Sequence, residues 1–138
     1  EDGVSSAARG VNQEISDFAV GPVFPKHTGD LGGHVYVVEF RQGIPSAEII
    51  QQFATNLDIR LCQRNEDYEA HRSGGFGLKA PEILATQPGC FAAWMRSRGK
   101  LGGQNKVPRI ITKLELLSDL ISFANSYANE QPHDAVSN

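Results

Sequence analysis

Between Gly99 and Arg109 the chain reads Gly-Lys-Leu-Gly-Gly-Gln-Asn-Lys-Val-Pro-Arg, a segment where charge, amides and backbone freedom coincide. Glycines let a backbone approach a ligand with no side chain between. Successive N–H groups in such a turn can form an anion-binding concavity. Lys100, Lys106 and Arg109 could supply charge to a phosphate there, with Gly102, Gly103 and Gln104 as the loop formers whose backbone approaches it. The spacing is not that of a Walker loop, which requires Gly, four residues, then Gly-Lys-Ser/Thr. The plainer alternative is a surface loop between a helix and a strand, with Lys106 and Lys100 as solvated cations. Arg109 has two readings of its own: a bidentate phosphate contact, or a structural pair with a carboxylate of the sheet or of another domain. Pro108 fixes its own φ and disfavours the helical region for Val107, so Lys106 and Arg109 are expected in an extended presentation.

Other constellations carry less. Cys62 and Cys90 are the only cysteines, and neither has a second cysteine or a histidine at metal-ligand spacing. Free thiols in a reduced cytoplasm are expected. His27, His34, His71 and His133 are scattered, which argues against a zinc site. Gly74-Gly75-Phe76-Gly77 contains a Gly-x-Gly but does not join a strand to a helix as a dinucleotide fingerprint does, and reads as a connector. Glu66, Asp67 and Glu69 have nothing apolar around them to raise a carboxyl pKa and read as a solvated helix end. Tyr68 and His71 would share a helix face, in packing or interdomain contact. No serine lies in a Gly-x-Ser-x-Gly elbow, so a hydrolase is not supported.

These residues must be held by a framework, and its elements are legible. Val4, Ala7, Ala8 and Val11 have helical spacing and predict a short, frayed helix weakened by Gly10. Ile15 to Phe24 alternates like a strand, with Gly21-Pro22 marking a bulge or an edge position. His34 to Phe40 is rich in β-branched and aromatic residues and predicts a second strand. Ser46 is placed to cap a helix whose stripe of Ile50, Phe53, Ala54, Leu57 and Leu61 runs to about Cys62. A further helical turn is expected over Tyr68 to Arg72, a third strand over Ala80 to Thr86, and a short helix burying Phe91, Trp94 and Met95 that Gly99 stops. Val107 to Ile111 reads as a fourth strand. Thr112 with Glu115 forms a capping box for a closing amphipathic helix. The order β-β-α-β-α-β-α predicts an α+β domain of two layers, a small mixed sheet with helices packed on it.

At 138 residues the chain is one domain by length, and it begins with Glu1 rather than methionine, as expected of a piece of something longer. Residues 1–128 are expected to form the domain and 129–138 a flexible tail. No apolar run approaches the roughly 20 residues of a membrane span, and no signal peptide is seen. A net charge of −3 argues against a broad nucleic-acid surface.

The Gly99–Arg109 segment also resembles the Gly-x-x-x-Asn-Gln-x-Lys-x-Pro-Arg stretch near the C-terminus of the Gretchen Hagen family of acyl-acid amido synthetases, adenylate-forming enzymes known from plant hormone conjugation and with bacterial relatives. Gly99, Gln104, Lys106, Pro108 and Arg109 match, whereas Gly103 replaces the asparagine and Asn105 stands where plant members carry an aromatic residue. Ile15-Ser16-Asp17-Phe18, Gly33-His34-Val35-Tyr36 and Asn65 to Arg72 are similar in order and spacing, so the resemblance covers most of residues 4–125. It implies the small mobile C-terminal domain of an enzyme, expected to be a bacterial member and cytoplasmic. Such a parent activates a carboxylic acid with ATP and Mg2+ and transfers the acyl group to an amino acid or other amine. The implied partner is the N-terminal adenylation domain of the same polypeptide, which binds nucleotide, metal and acid. Lys106 would reach the nucleotide when the domains close, and the domain alone would be inactive. A stand-alone small-molecule-binding or regulatory α+β module is the competing expectation. An RNA-binding domain is a weaker one, because the strands lack interleaved basic and exposed aromatic residues.

Overall fold

The computed structural model describes residues 3–25, 27, 31–73, 77–99 and 106–130. Its elements run α1 (Gly3–Arg9), β1 (Ile15–Val23), β2 (Gly33–Phe40), α2 (Ala47–Arg64), α3 (Glu66–Ser73), β3 (Glu82–Thr86), α4 (Cys90–Ser97) and α5 (Leu114–Glu130). The sheet order is β1-β2-β3, with β1 antiparallel and β3 parallel to the central β2. The expected α+β class and small mixed sheet are therefore what the chain forms.

Two expectations change. The sheet carries helices on both faces, so it is the middle of three layers rather than one of two. Ala19, Val35 and Val37 pack with Phe91 and Trp94 of α4 and Leu120 of α5. Tyr36, Val38 and Phe40 pack on the other face with Val4 of α1 and with Phe53 and Leu57 of α2. The cause lies in β2: a strand covered on both faces is apolar almost continuously rather than alternately, and Val35-Tyr36-Val37-Val38 is such a run.

The expected fourth strand is a single parallel bridge, Val20 to Ile110. Val20 N–H donates to the Arg109 carbonyl at 2.7 Å, and Ile111 N–H donates to the Val20 carbonyl at 2.8 Å. The next rung would need a donor from residue 22, which is proline and has none. One bridge is all that this edge sustains.

Several local signals fall where the sequence places them, while the Thr112 capping box and the frayed first helix do not. Ser46 Oγ accepts the Ile49 N–H at 3.2 Å and caps α2 as expected. Asn65 ends α2, and its side chain accepts the Tyr68 N–H to open α3. The first bond of α5 runs from Leu117 N–H to the Lys113 carbonyl, one residue beyond Thr112. That helix continues to Glu130, and 131–138 lie outside the described residues. Helix α1 is seated rather than loose, with Val4, Ala7 and Ala8 buried and Asn56 Nδ2 donating to the Ala7 carbonyl at 3.3 Å. Where α5 crosses β1, Gly21 permits the contact: a Cβ there would stand 2.6 Å from Leu117 Cδ2 and 2.9 Å from the Ile111 carbonyl. No helix among the described residues is long and apolar enough to cross a membrane.

Candidate functional site

The Gly/Lys segment leaves α4 at one end and returns to the edge of β1 at the other, so its placement depends on how each end is fixed. Lys100, Gly102, Gly103 and Gln104 lie outside the described residues; Lys106 and Arg109 lie within them.

The α4 end starts with a buried carboxylate that the sequence reading missed. Glu39 on β2 is 7% exposed. Its Oε2 accepts the Gly89 N–H at 3.1 Å and its Oε1 accepts the Phe91 N–H at 2.9 Å. A negative side chain thus closes the positive end of α4, satisfying donors that a helix start leaves orphaned. Gly89 precedes the helix at φ 94°, a conformation that favours glycine. At the other end of α4, Trp94 Nε1 donates to Asp119 Oδ2 of α5 at 2.9 Å. Arg98 pairs with the same oxygen at 3.7 Å and lies 5.3 Å from the centre of the Trp94 ring. Gly99, at φ 71°, then ends the helix as expected. The signal for Glu39 was present: it is the one charge inside an otherwise apolar strand, and such a residue needs partners.

The β1 end carries Lys106. Lys106 is exposed, and among the described residues no ion pair reaches it. Its neighbour Val107 turns inward and packs against the α4/α5 core. Arg109 bonds the sheet edge: Nη1 pairs with the Asp17 carboxylate and also donates to the Phe18 carbonyl at 2.7 Å. Its guanidinium lies 4.3 Å from the centre of the Phe18 ring. The structural-pair reading of Arg109 is thus realised with a carboxylate of the sheet. Beside this anchor opens an apolar groove of about 300 Å³, lined by Val4, Phe18, Tyr36, Leu57, Leu61 and Ile110 among others. Ile110 at its rim is 72% exposed. Burial pushes the Tyr36 phenol, on its wall, up to about 12.

A second polar cluster lies apart from this segment. Arg72 on α3 grips Asp58 on α2 through Nη2 at 2.5 Å and Nε at 2.8 Å, and Tyr68 OH donates to Asp58 at 2.8 Å. The Arg72 hydrogen bonds hold the Asp58 carboxyl below the usual carboxylate range, against burial, which pushes the other way. Burial and the Asp58 hydrogen bond both raise the Tyr68 phenol. All three groups are consumed by one another, so the cluster splices α3 to α2. Tyr68 and His71 act in packing as expected: His71 Nδ1 meets the Asp67 carbonyl at 2.7 Å, and its ring lies against Gly77. Glu66, Asp67 and Glu69 are exposed. Cys62 and Cys90 are free, and burial pushes both thiols up, away from the reactive thiolate. Among the described residues no group of three or more His, Cys, Asp or Glu could hold a metal ion.

With this geometry in view, the likeness to known proteins is specific. A family profile described as GH3 family C-terminal domain matches residues 1–115. A solved structure titled GH3.15 acyl acid amido synthetase superposes with a TM-score of 0.67 at 20% identity, covering 87% of this chain and 22% of the other. A second, titled AtGH3.15 acyl acid amido synthetase in complex with 2,4-DB, gives 0.65 at 19% identity with the same coverage. At that identity the likeness speaks for the fold. The chain spans about a fifth of the length of the structures it matches. No curated protein matches it in sequence.

Proposed function

The chain belongs to the family of GH3 C-terminal domains, and from that premise we propose that it is the small, mobile domain of an ATP-dependent acyl-acid amido synthetase. In this reading an N-terminal adenylation domain binds ATP, Mg2+ and a carboxylic acid. The carboxylate oxygen attacks the α-phosphorus, and the bond to pyrophosphate breaks. An amine nitrogen then attacks the acyl carbon, AMP leaves, and the amine's proton passes to solvent. This chain contributes Lys106 to the first half-reaction, where negative charge grows on the α-phosphate and on departing pyrophosphate. The loop residues Lys100, Gly102, Gly103 and Gln104 are proposed to approach the same phosphates. The free thiols of Cys62 and Cys90 suit a cytoplasmic enzyme.

The observation that carries this reading is the contrast around Lys106. Its ammonium is exposed, while Val107 beside it is packed and Arg109 beyond it is pinned to the sheet. A lysine that serves only solubility has no need of such support. A positioned cation aimed at developing charge has, because preorganisation is the source of its effect. The exposed Ile110 and the apolar groove beside Arg109 give the domain a face of the kind that a partner domain covers. The domain alone is expected not to catalyse, since the groups it acts on are held elsewhere.

The test is acid- and ATP-dependent pyrophosphate release by the full-length enzyme and its Lys106→Ala variant. Loss of one well-placed donor of this type costs roughly 2.7–4 kcal/mol, or about 10²–10³ in kcat. Unchanged adenylation in the variant removes Lys106 from this role.

A further inference from the structure

Arg109 looks at first like a second phosphate ligand three residues after Lys106, and its surroundings give it a different task. Phe18 lies on β1, an edge strand of the sheet. Two residues on, Val20 turns both its N–H and its carbonyl to the 109–111 segment, so by the period of a strand the same groups of Phe18 face that open edge as well. Side chains satisfy both of them. Asp17 Oδ1 accepts the Phe18 N–H at 2.9 Å, and Arg109 Nη1 donates to the Phe18 carbonyl at 2.7 Å. The two side chains pair with each other, and the guanidinium stacks on the Phe18 ring. The register of β1 slips between Ile15 and Asp17, and such bulges re-aim side chains at sheet edges. In effect the side chains of Asp17 and Arg109 replace the backbone rung that would precede the Val20–Ile110 bridge.

We infer that Arg109 and Asp17 are positioning residues, which fasten the returning segment to the sheet edge and so fix the point from which Lys106 reaches. Arg109 is not itself a ligand of the nucleotide. Only Val107 and Pro108 lie between Lys106 and this anchor, three chain steps with a reach of at most about 10 Å. Pro108 removes one torsion from that span, and Val107, half-buried, packs against the core. The lysine's root is thereby fixed while its side chain stays free to extend. The inference rests on the role of Lys106 proposed above, but the anchor itself is a property of this chain and can be measured separately.

In the 138-residue chain, nitrogen-15 heteronuclear NOE values at Lys106 and Val107 report the anchor. Arg109→Lys and Asp17→Asn are each expected to lower them, the double variant no further than either single one, with α2 and α5 unchanged. Asp17→Glu, which keeps the charge, should restore most of the loss. Values unmoved by both single variants overturn the anchor. In the full-length enzyme, on an acid that the wild type adenylates, Arg109→Lys and Asp17→Asn should each reduce kcat by a similar factor. That factor should be roughly tenfold to a hundredfold, the scale of a small misplacement, with KM for ATP little changed. A rise in KM for ATP confined to the Arg109 variant overturns the inference in favour of a phosphate contact. If Lys106→Ala leaves adenylation intact while the NOE pattern holds, the proposed function fails and the anchor stands.

Discussion

Replacing Glu39 by glutamine tests whether the start of α4 is held by a buried charge. The carboxylate accepts two backbone N–H groups, from Gly89 and Phe91, in a site where Glu39 is 7% exposed. Hydrogen bonds to charged groups contribute about 1.5–3 kcal/mol each, and a favourable charge at a helix end adds about 0.3–2 kcal/mol. Glutamine keeps one carbonyl oxygen, so one bond survives in weaker form, and it sets an NH2 against the other donor. A loss of about 2–3 kcal/mol is expected, rising to about 3–5 kcal/mol for Glu39→Ala, which leaves both N–H groups without an acceptor. With an unfolding entropy of about 2.1 cal/mol/K per residue, a chain of 138 residues loses about 3–4 °C in Tm per kcal/mol. Glu39→Gln should therefore lower Tm by about 7–10 °C, read by circular dichroism. Hydrogen exchange at the Phe91 amide should accelerate more than exchange in α2. A shift below about 2 °C, with Phe91 exchange unchanged, would mean that these donors do not depend on the charge.

Two further outcomes are specific. Gly21→Ala drives a Cβ into Leu117 and the Ile111 carbonyl and should cost about 1–3 kcal/mol as overpacking. Leu117→Ala should cost less in that background than in the wild type, and additive losses in the double-mutant cycle would contradict the contact. Asp58→Asn should cost about 1–3 kcal/mol at pH 7 by weakening the Arg72 and Tyr68 bonds. Because the folded-state pKa of Asp58 lies below its unfolded value, this stabilisation is fully present above about pH 5. It fades as pH falls through the folded value, so urea midpoints of wild type and variant should converge only below about pH 4.

The sequence made the elements legible where a local rule decides them. The Ser46 cap, the apolar stripe of α2 and the Gly99 stop depend on a few adjacent residues, and each appeared where its chemistry placed it. The third layer and the missing fourth strand depend on long-range geometry. A run such as Val35 to Val38 fits a strand covered on one face or on two, and only the packing of α1 and α2 decides between them. The lack of a donor at Pro22 matters only once the 109–111 segment is known to dock beside it. The candidate site divides in the same way. Lys106 was recognisable from its segment, and the partner of Arg109 was not. Asp17 is 92 residues away in sequence, and the resembling Ile15–Phe18 stretch does not mark it as the partner of Arg109. Glu39 could have been found, since a charge buried in an apolar strand is expensive unless it is bonded.

The central claim is that this domain delivers Lys106 to a nucleotide held by another part of the enzyme. The most direct measurement is a crystal structure of the full-length enzyme trapped with ATP analogue and carboxylic acid before pyrophosphate leaves. The account predicts Lys106 Nζ at about 2.7–3.2 Å from a phosphate oxygen, with Arg109 still on Asp17 and Phe18. A closed complex with Lys106 in solvent, or with Arg109 turned onto the phosphate in its place, would contradict it.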